Sequence, residues 1–233
     1  MSEKREKGVQ NLAIKTPVYQ AVLVPSNGDN IKSLIINGKE AVLQEKSGTF
    51  GKVGFWRPKS ILIEDPMRID TIKALTDHVE VTLSRPATAN FNLKVVWKFY
   101  KDRLQESFTV QNAARHKFFT VTRFHHRPMH LANLSGSFFT VGAEKFPIVM
   151  KDRFLIQKAG VLGKTVNIKG GNTVFTAPQM KSTLRHKGLD PIQGYYIWNS
   201  PGAATGSFEP IFEGKELAPG ESLTIRQEWQ IKK

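Results

Sequence analysis

Cysteine is absent from the 233 residues of this chain, and so is any long apolar segment. Without cysteine the chain has no disulfide, no thiolate metal ligand and no cysteine nucleophile. No run approaches the roughly 18 apolar residues of a membrane span, and the charged start, MSEKREKG, lacks the apolar core of a signal peptide. The sequence therefore predicts a soluble protein, either cytoplasmic or exported with its signal removed.

Acidic residues are scarce, with 20 Asp and Glu against 34 Lys and Arg and a formal net charge of +14. Residues 107–143 and 153–189 contain no acidic residue at all. This excess favours an acidic partner, such as a charged saccharide, an anionic membrane surface or nucleic acid, and solubility alone is the alternative explanation. Nucleic acid is disfavoured as a partner, because no RNA- or DNA-binding signature is present.

Helical periodicity is almost missing, and apolar residues alternate with polar ones from residue 16 onward. An alternation of period two is typical of strands that bury one face. It is clearest in residues 78–83, 93–99 and 104–110, which predict three consecutive antiparallel strands. Only residues 65–76 are expected to hold a helical turn or two. The fold class predicted is all-β, an antiparallel β-sandwich with little helix.

Domain organisation follows from the same pattern. Residues 1–15 are polar and are expected to form a flexible N-terminal leader, and residues 16–233 a single β-sandwich domain. The first two strands of that domain, residues 18–24 and 31–36, are expected to pair across Gly28. The Asn37-Gly38 step that follows supplies the positive φ angles of a tight hairpin turn.

Histidines concentrate in one region, with four of the six lying between residues 116 and 130. Imidazole titrates near neutrality and can act as acid, base or metal ligand. Neighbouring residues of a strand point to opposite sides, so His125 and His126 cannot both ligate one ion, and no metal and no cofactor are predicted. A solvated basic rim is the alternative to a functional histidine site.

The segment Phe55-Trp56-Arg57-Pro58 is a candidate saccharide contact. A Trp ring can stack on a sugar, and a guanidinium can bind a carboxylate or hydroxyl groups. The alternative role of Trp56 is to anchor a loop. Arg123 and Arg127, which flank the two adjacent histidines, complete the set of predicted substrate-binding residues together with Trp56 and Arg57.

Three separated segments resemble the galactose mutarotase (aldose 1-epimerase) superfamily. The start VPSNGDNIKSLIINGKE, residues 24–40, is similar to the family's opening strand, glycine turn and second strand. Residues 79–112 are similar to its central meander. Near the C-terminus, FEP at 208–210 and LAPGESL at 217–223 resemble its late glutamate and the entry to its last strand. The resemblance implies the supersandwich form of the β-sandwich.

In that family a histidine after the meander acts as general acid and a late glutamate as base, which opens the sugar ring. By resemblance His125 or His126 is the histidine, Glu209 the glutamate and Arg57 a sugar-binding arginine. The implied activity is that of an aldose 1-epimerase-like isomerase, or of a polysaccharide lyase or hydrolase relative, on a neutral or acidic saccharide. The family's earlier N-H-x-H-G type segment is absent, so a non-catalytic carbohydrate-binding or structural module stays open as the alternative.

Overall fold

A computed structural model describes most of the chain. The described residues are 2–6, 9–42, 50–57, 59, 61–88, 90–126, 138–141, 144–147, 156–157, 160–161, 172–177, 181–200 and 205–232. Among these residues no helix is long and apolar enough to cross a membrane.

The described residues form 22 strands and a single 3-10 turn, Pro25–Asn27, between β3 and β4. The strands are β1 (Ser2–Glu6), β2 (Val9–Lys15), β3 (Tyr19–Val24), β4 (Asn30–Ile36), β5 (Lys39–Glu40), β6 (Phe50–Arg57), β7 (Ile61–Leu62), β8 (Arg68–Ala74), β9 (His78–Thr88), β10 (Phe91–Tyr100), β11 (Arg103–Asn112), β12 (Phe118–His126), β13 (Phe138–Val141), β14 (Glu144–Pro147), β15 (Ile156–Gln157), β16 (Gly160–Val161), β17 (Asn172–Ala177), β18 (Ser182–Gly188), β19 (Ile192–Ser200), β20 (Thr205–Phe212), β21 (Lys215–Leu217) and β22 (Ser222–Lys232).

Two large sheets make up the body of the fold. A seven-stranded sheet has the order β17-β18-β22-β11-β10-β9-β8, and an eight-stranded sheet has the order β16-β15-β19-β20-β12-β6-β7, with β21 paired to β12. Strands β1 to β5 form a separate five-stranded sheet, and β13 pairs with β14. Every strand pairing among the described residues is antiparallel, so the predicted all-β fold is confirmed.

The core lies between the two large sheets, where strands such as β10 and β11 bury every second side chain. Burial alternates strictly along β11, as the sequence pattern predicts. Phe50 of the eight-stranded sheet packs on Trp229 of the seven-stranded sheet, with ring centroids 4.9 Å apart. Phe55 meets Phe108 across the same gap at 6.2 Å. These aromatic pairs join the sheets into one hydrophobic core.

The three-strand meander predicted in the middle of the chain is confirmed as β9, β10 and β11. Strands β3 and β4 pair across the turn at Gly28, also as predicted. At the next turn Asn37 and Gly38 have φ angles of 51° and 75°, and β4 continues into β5. Asn-Gly therefore does form the tight hairpin turn.

Two expectations differ from the structure. Residues 65–76 contain strand β8 and no helix, because this segment pairs with β9 as the last strand of the seven-stranded sheet, with Ile69 opposite Leu83 and Ile72 opposite Val81. The expected helical turn was wrong.

The expected flexible leader also differs, since residues 9–15 form β2 and pair with β3. Leu12 and Ile14 of β2 are buried, so the apolar face of the five-stranded sheet includes this segment.

Candidate functional site

Strand β6 carries Trp56 and Arg57 at its end, and an irregularity in its register with β12 determines the face of the sheet on which their side chains lie. Val121 of β12 pairs with Arg57, and the adjacent Thr122 pairs with Phe55, so Trp56 is an extra residue on β6. Such bulges redirect side chains and are frequent beside functional sites. Phe55 is buried in the core, while Trp56 and Arg57 both line a pocket on the outer face of the eight-stranded sheet.

Arg123 and Glu209 form an ion pair on the same outer face. Arg123 belongs to β12 and Glu209 to the neighbouring β20, and Nη1 of the arginine donates a hydrogen bond to Oε2 of the glutamate. Their side chains are only 8% and 5% exposed. The guanidinium carbon of Arg123 also lies 5.1 Å from the centroid of the Trp56 ring, within cation–π range. Arg123 therefore links Trp56 to Glu209.

The pocket beside this pair has a volume of about 390 Å³. Its lining combines apolar side chains with a few polar groups: Trp56, Arg57, Phe119, Val121, Gln193, Gly194 and Ile211. Phe119 is 53% exposed, which is unusual for a Phe and leaves its ring available for contact. Apolar walls with a small number of polar groups are typical of ligand sites.

His126 does not join Glu209, because it faces the opposite side of β12. Its imidazole is fully buried between the two large sheets, where it packs edge-on against Trp229 at 4.8 Å. Phe124, two residues earlier, faces the same core. The alternation of β12 thus separates His126 from Arg123, three residues away.

A buried polar network surrounds His126. Oε1 of Gln227 accepts hydrogen bonds from Nε2 of His126 and Nε2 of His186, both at 3.0 Å. The side-chain nitrogen of Gln227 in turn donates to Oε2 of Glu106 at 2.6 Å. The carboxyl of Glu106 lies beside that of Asp29. All five side chains are at most 1% exposed, which is rare for polar groups.

Burial shifts the ionisation of this network. It raises the pKa of Asp29 to about 6, and burial together with the negative charge of Asp29 raises the pKa of Glu106 well above its ordinary value. Burial lowers the pKa of His186 to about 3. Desolvation disfavours every charged form, so the histidine stays neutral and the carboxyl pair retains a proton more readily.

The predicted site residues therefore separate into three groups. Trp56, Arg57, Arg123 and Glu209 come together on the outer face of the eight-stranded sheet. His126 lies in the core. Arg127 and the side chain of His125 lie outside what the structure describes.

Neither Phe119 nor Val121 was predicted as a pocket residue, although both share the phase of Arg123 along β12. Glu106 was not predicted either, although it is in phase with the buried Leu104 and Phe108. In both cases the alternation that predicted the strands also indicates the face of the sheet on which these side chains lie. Within the described part of the chain, no group of three or more His, Asp or Glu side chains is arranged to hold a metal ion.

Neither family models nor curated proteins match the sequence, whereas solved structures do. A galactose mutarotase-like protein from Clostridium acetobutylicum matches with a TM-score of 0.71 at 12% identity, over 99% of this chain and 98% of that one. The fold is galactose mutarotase-like.

Two further structures agree with this mutarotase-like assignment. A galactose mutarotase related enzyme from Lactobacillus acidophilus has a TM-score of 0.62 at 12% identity, covering 96% of this chain and 97% of that one. A galactose mutarotase-like protein from Lactobacillus casei has a TM-score of 0.61 at 13% identity, covering 95% and 99%. The predicted resemblance is confirmed for the fold, and function must be argued from the residues of the site.

Proposed function

We propose that this protein binds a saccharide in the pocket formed by Trp56, Arg57 and their neighbours on the outer face of the eight-stranded sheet. The observation that carries the proposal is the bulge at Trp56, which brings an indole ring and an exposed guanidinium to one pocket beside the buried Arg123–Glu209 pair. The C–H face of a pyranose packs on aromatic rings, and its hydroxyl groups bond to guanidinium and amide groups.

An acidic saccharide suits the charges of this pocket better than a neutral one. Arg123 and Glu209 neutralise one another, while Arg57 is the charged side chain of the lining itself. A guanidinium binds a carboxylate through two parallel hydrogen bonds, which strengthens and orients the contact. A uronate, with one carboxylate, would complement this single charge.

Binding is tested by calorimetry with a panel of neutral sugars and uronates, using wild type, Trp56→Ala and Arg57→Gln. We expect Trp56→Ala to lower the affinity for every sugar that binds by about tenfold or more, as is usual for a central aromatic contact. Arg57→Gln should lower the affinity for uronates more than the affinity for neutral sugars. Arg68→Gln, on strand β8 of the other large sheet, is the matched control and should bind as wild type does.

Absence of binding to every sugar on the panel would contradict the proposal. So would equal losses in Arg57→Gln and Arg68→Gln, because the effect would then not belong to this pocket.

A catalytic version of the proposal makes Glu209 a general base, as the resemblance implies. The base would take the proton of the anomeric hydroxyl while a second group protonates the ring oxygen, so the ring opens without net charge change. The burial of Glu209 next to Arg123 supports a fixed carboxylate at this place. His125, two residues from Arg123 on β12, is the acid that we propose, because His126 is buried on the other side of the strand.

The catalytic version is tested by NMR measurement of mutarotation and by assay of uronate β-elimination with wild type and Glu209→Gln. Loss of turnover in Glu209→Gln with retained sugar binding supports the enzyme. Binding without turnover by wild type supports the non-catalytic module instead. Thermal unfolding of Glu209→Gln separates a lost base from a lost fold.

A further inference from the structure

Asp29 and Glu106 bring two carboxyl groups together inside the core, away from the proposed sugar pocket. Asp29 lies in the turn between β3 and β4, Glu106 lies in the middle of β11, and the two residues are 0% and 1% exposed. Each carboxyl has one oxygen in a hydrogen bond: Oδ1 of Asp29 accepts the N–H of Val53 at 3.1 Å, and Oε2 of Glu106 accepts from Gln227.

The remaining two oxygens are the unusual feature. Oδ2 of Asp29 and Oε1 of Glu106 are buried, and no hydrogen bond satisfies either of them within the described part of the chain. Ionised carboxylates only accept hydrogen bonds, so these oxygens cannot satisfy one another without a proton. Two adjacent buried negative charges would also repel strongly, as in other carboxyl dyads that share a site.

We propose that Asp29 and Glu106 form a buried proton-binding site, in which one proton bridges Oδ2 of Asp29 and Oε1 of Glu106 and holds the β3–β4 turn against strand β6. The raised pKa of both carboxyls agrees with this arrangement. One proton satisfies both oxygens and leaves a single negative charge on the pair.

The charged and titratable groups around the pair are consistent with one remaining negative charge. Lys52 of β6 attracts the charge of Asp29, and its Nζ is held by Asn27 and Glu64. His126 of β12 and His186 of β18 approach only through the amide of Gln227. The lysine is therefore the only cation among these groups, because Nδ1 of His126 accepts the N–H of Gly51 and burial keeps His186 neutral.

The pair holds a specific contact between the turn and β6. Besides the Asp29–Val53 bond, Oδ1 of Asn30 accepts the N–H of Phe50, also of β6, at 3.0 Å. The turn is held from β10 as well, where the indole N–H of Trp97 donates to the carbonyl of Asp29 at 3.1 Å. Removal of the shared proton would place two negative charges side by side. Because Asp29 belongs to a turn and Glu106 to a central strand, the turn would move, and Val53 would lose its acceptor.

Hydrogen exchange of the Val53 amide tests this inference in the full chain. After correction for intrinsic exchange, we expect wild type to lose about tenfold or more of its Val53 protection as the pH rises from about 6 to 10, since local opening then becomes easier. Glu106→Gln should keep its protection, because a glutamine amide accepts from Gln227 and donates to Asp29 as a protonated glutamate does. The amide of Val95, in the centre of β10, is the internal control.

Asp29→Asn is the second variant, and it should also make Val53 protection independent of pH, because its amide can donate to Glu106. Carbon-13 titration of the wild-type carboxyl groups gives an independent reading, with the midpoint of Asp29 expected near pH 6. Ordinary midpoints for both carboxyls would overturn the shared proton. So would a wild-type alkaline loss at Val53 that persists in both variants.

Discussion

The backbone N–H of Gly51 donates a hydrogen bond to Nδ1 of His126 across 3.0 Å. An acceptor nitrogen carries no proton, so the proton of this neutral imidazole resides on Nε2 and points at the carbonyl oxygen of Gln227. The orientation of the Gln227 amide follows, and with it the donor that reaches Glu106. One main-chain N–H thus sets the direction of the hydrogen bonds that run from Gly51 through His126 and Gln227 to Glu106.

Replacing the amide at the centre of this network should be costly. In Gln227→Leu the two imidazoles and Glu106 lose their common partner while they remain buried, and each unsatisfied buried group costs about 1–3 kcal/mol. We expect a loss of at least about 3 kcal/mol in the free energy of unfolding, measured by urea denaturation. Gln111→Leu, on the solvent face of β11, is the control and should change stability by less than about 1 kcal/mol.

Gly51→Ala should be far more damaging than Gly220→Ala, although both glycines have a positive φ, of 84° and 80°. A Cβ at Gly51 would lie 2.3 Å from the Trp97 ring, whereas nothing lies within 4 Å of one at Gly220. Backbone strain alone costs about 1–2 kcal/mol, and overpacking adds about 1–3 kcal/mol. Equal losses of unfolding free energy in the two variants would show that Trp97 moves aside freely.

His186 should make the protein sensitive to acid. Its pKa is lowered from 6.5 to about 3, so below pH 6.5 the unfolded chain binds a proton that the folded protein does not. Stability must therefore fall as the pH falls from about 6.5 to about 3, by at most about 1.4 kcal/mol per pH unit. His186→Gln keeps a donor for Gln227 and should remove this slope.

The raised pKa of Asp29 acts in the opposite direction, with stability falling as the pH rises from about 4 to about 6. The free energy of unfolding of wild type therefore depends on pH through both groups. The difference in unfolding free energy between wild type and His186→Gln, measured by urea denaturation at each pH, isolates the contribution of the histidine. A difference that does not change with pH would contradict the buried neutral imidazole.

The Arg123–Glu209 pair should show strong coupling in a double-mutant cycle. Arg123→Met or Glu209→Leu alone leaves one buried charge without its partner and should cost about 3–5 kcal/mol. The double variant should cost less than the sum of the two single variants. Arg226→Met, which breaks an exposed pair with Asp190, should cost no more than about 1 kcal/mol. Additive losses at Arg123 and Glu209 would mean that the pair contributes little.

Alternation along the chain was enough to predict the strands of the meander, because each of them buries one face. The same alternation placed an acid, Glu106, among the core residues Leu104 and Phe108. Its partner Gln227 is 121 residues away, and no local pattern specifies that pairing. The sequence therefore indicates a buried polar group at Glu106, but it does not predict which residues form hydrogen bonds with it.

The proposed sugar pocket was predictable to a similar degree. Trp56 and Arg57 were identified as residue types that suit a saccharide, whereas simple alternation would have sent them to opposite faces of β6. The bulge that reunites them depends on pairing with β12, which lies more than 60 residues further along the chain. Likewise, Arg123 and Glu209 are 86 residues apart and meet only because β12 and β20 are neighbours.

Strand β6 contains two residues, Gly51 and Trp56, that have no partner position on β12. Each extra residue switches every later side chain of the strand to the opposite face of the sheet, and a second extra residue switches them back. A relative that has lost one residue between Phe50 and Arg57 would therefore turn either its core phenylalanine or its pocket arginine to the wrong side. Gaps in sequence alignments of this strand should come in pairs, which gives a criterion for recognising divergent relatives when overall identity is too low to guide the alignment.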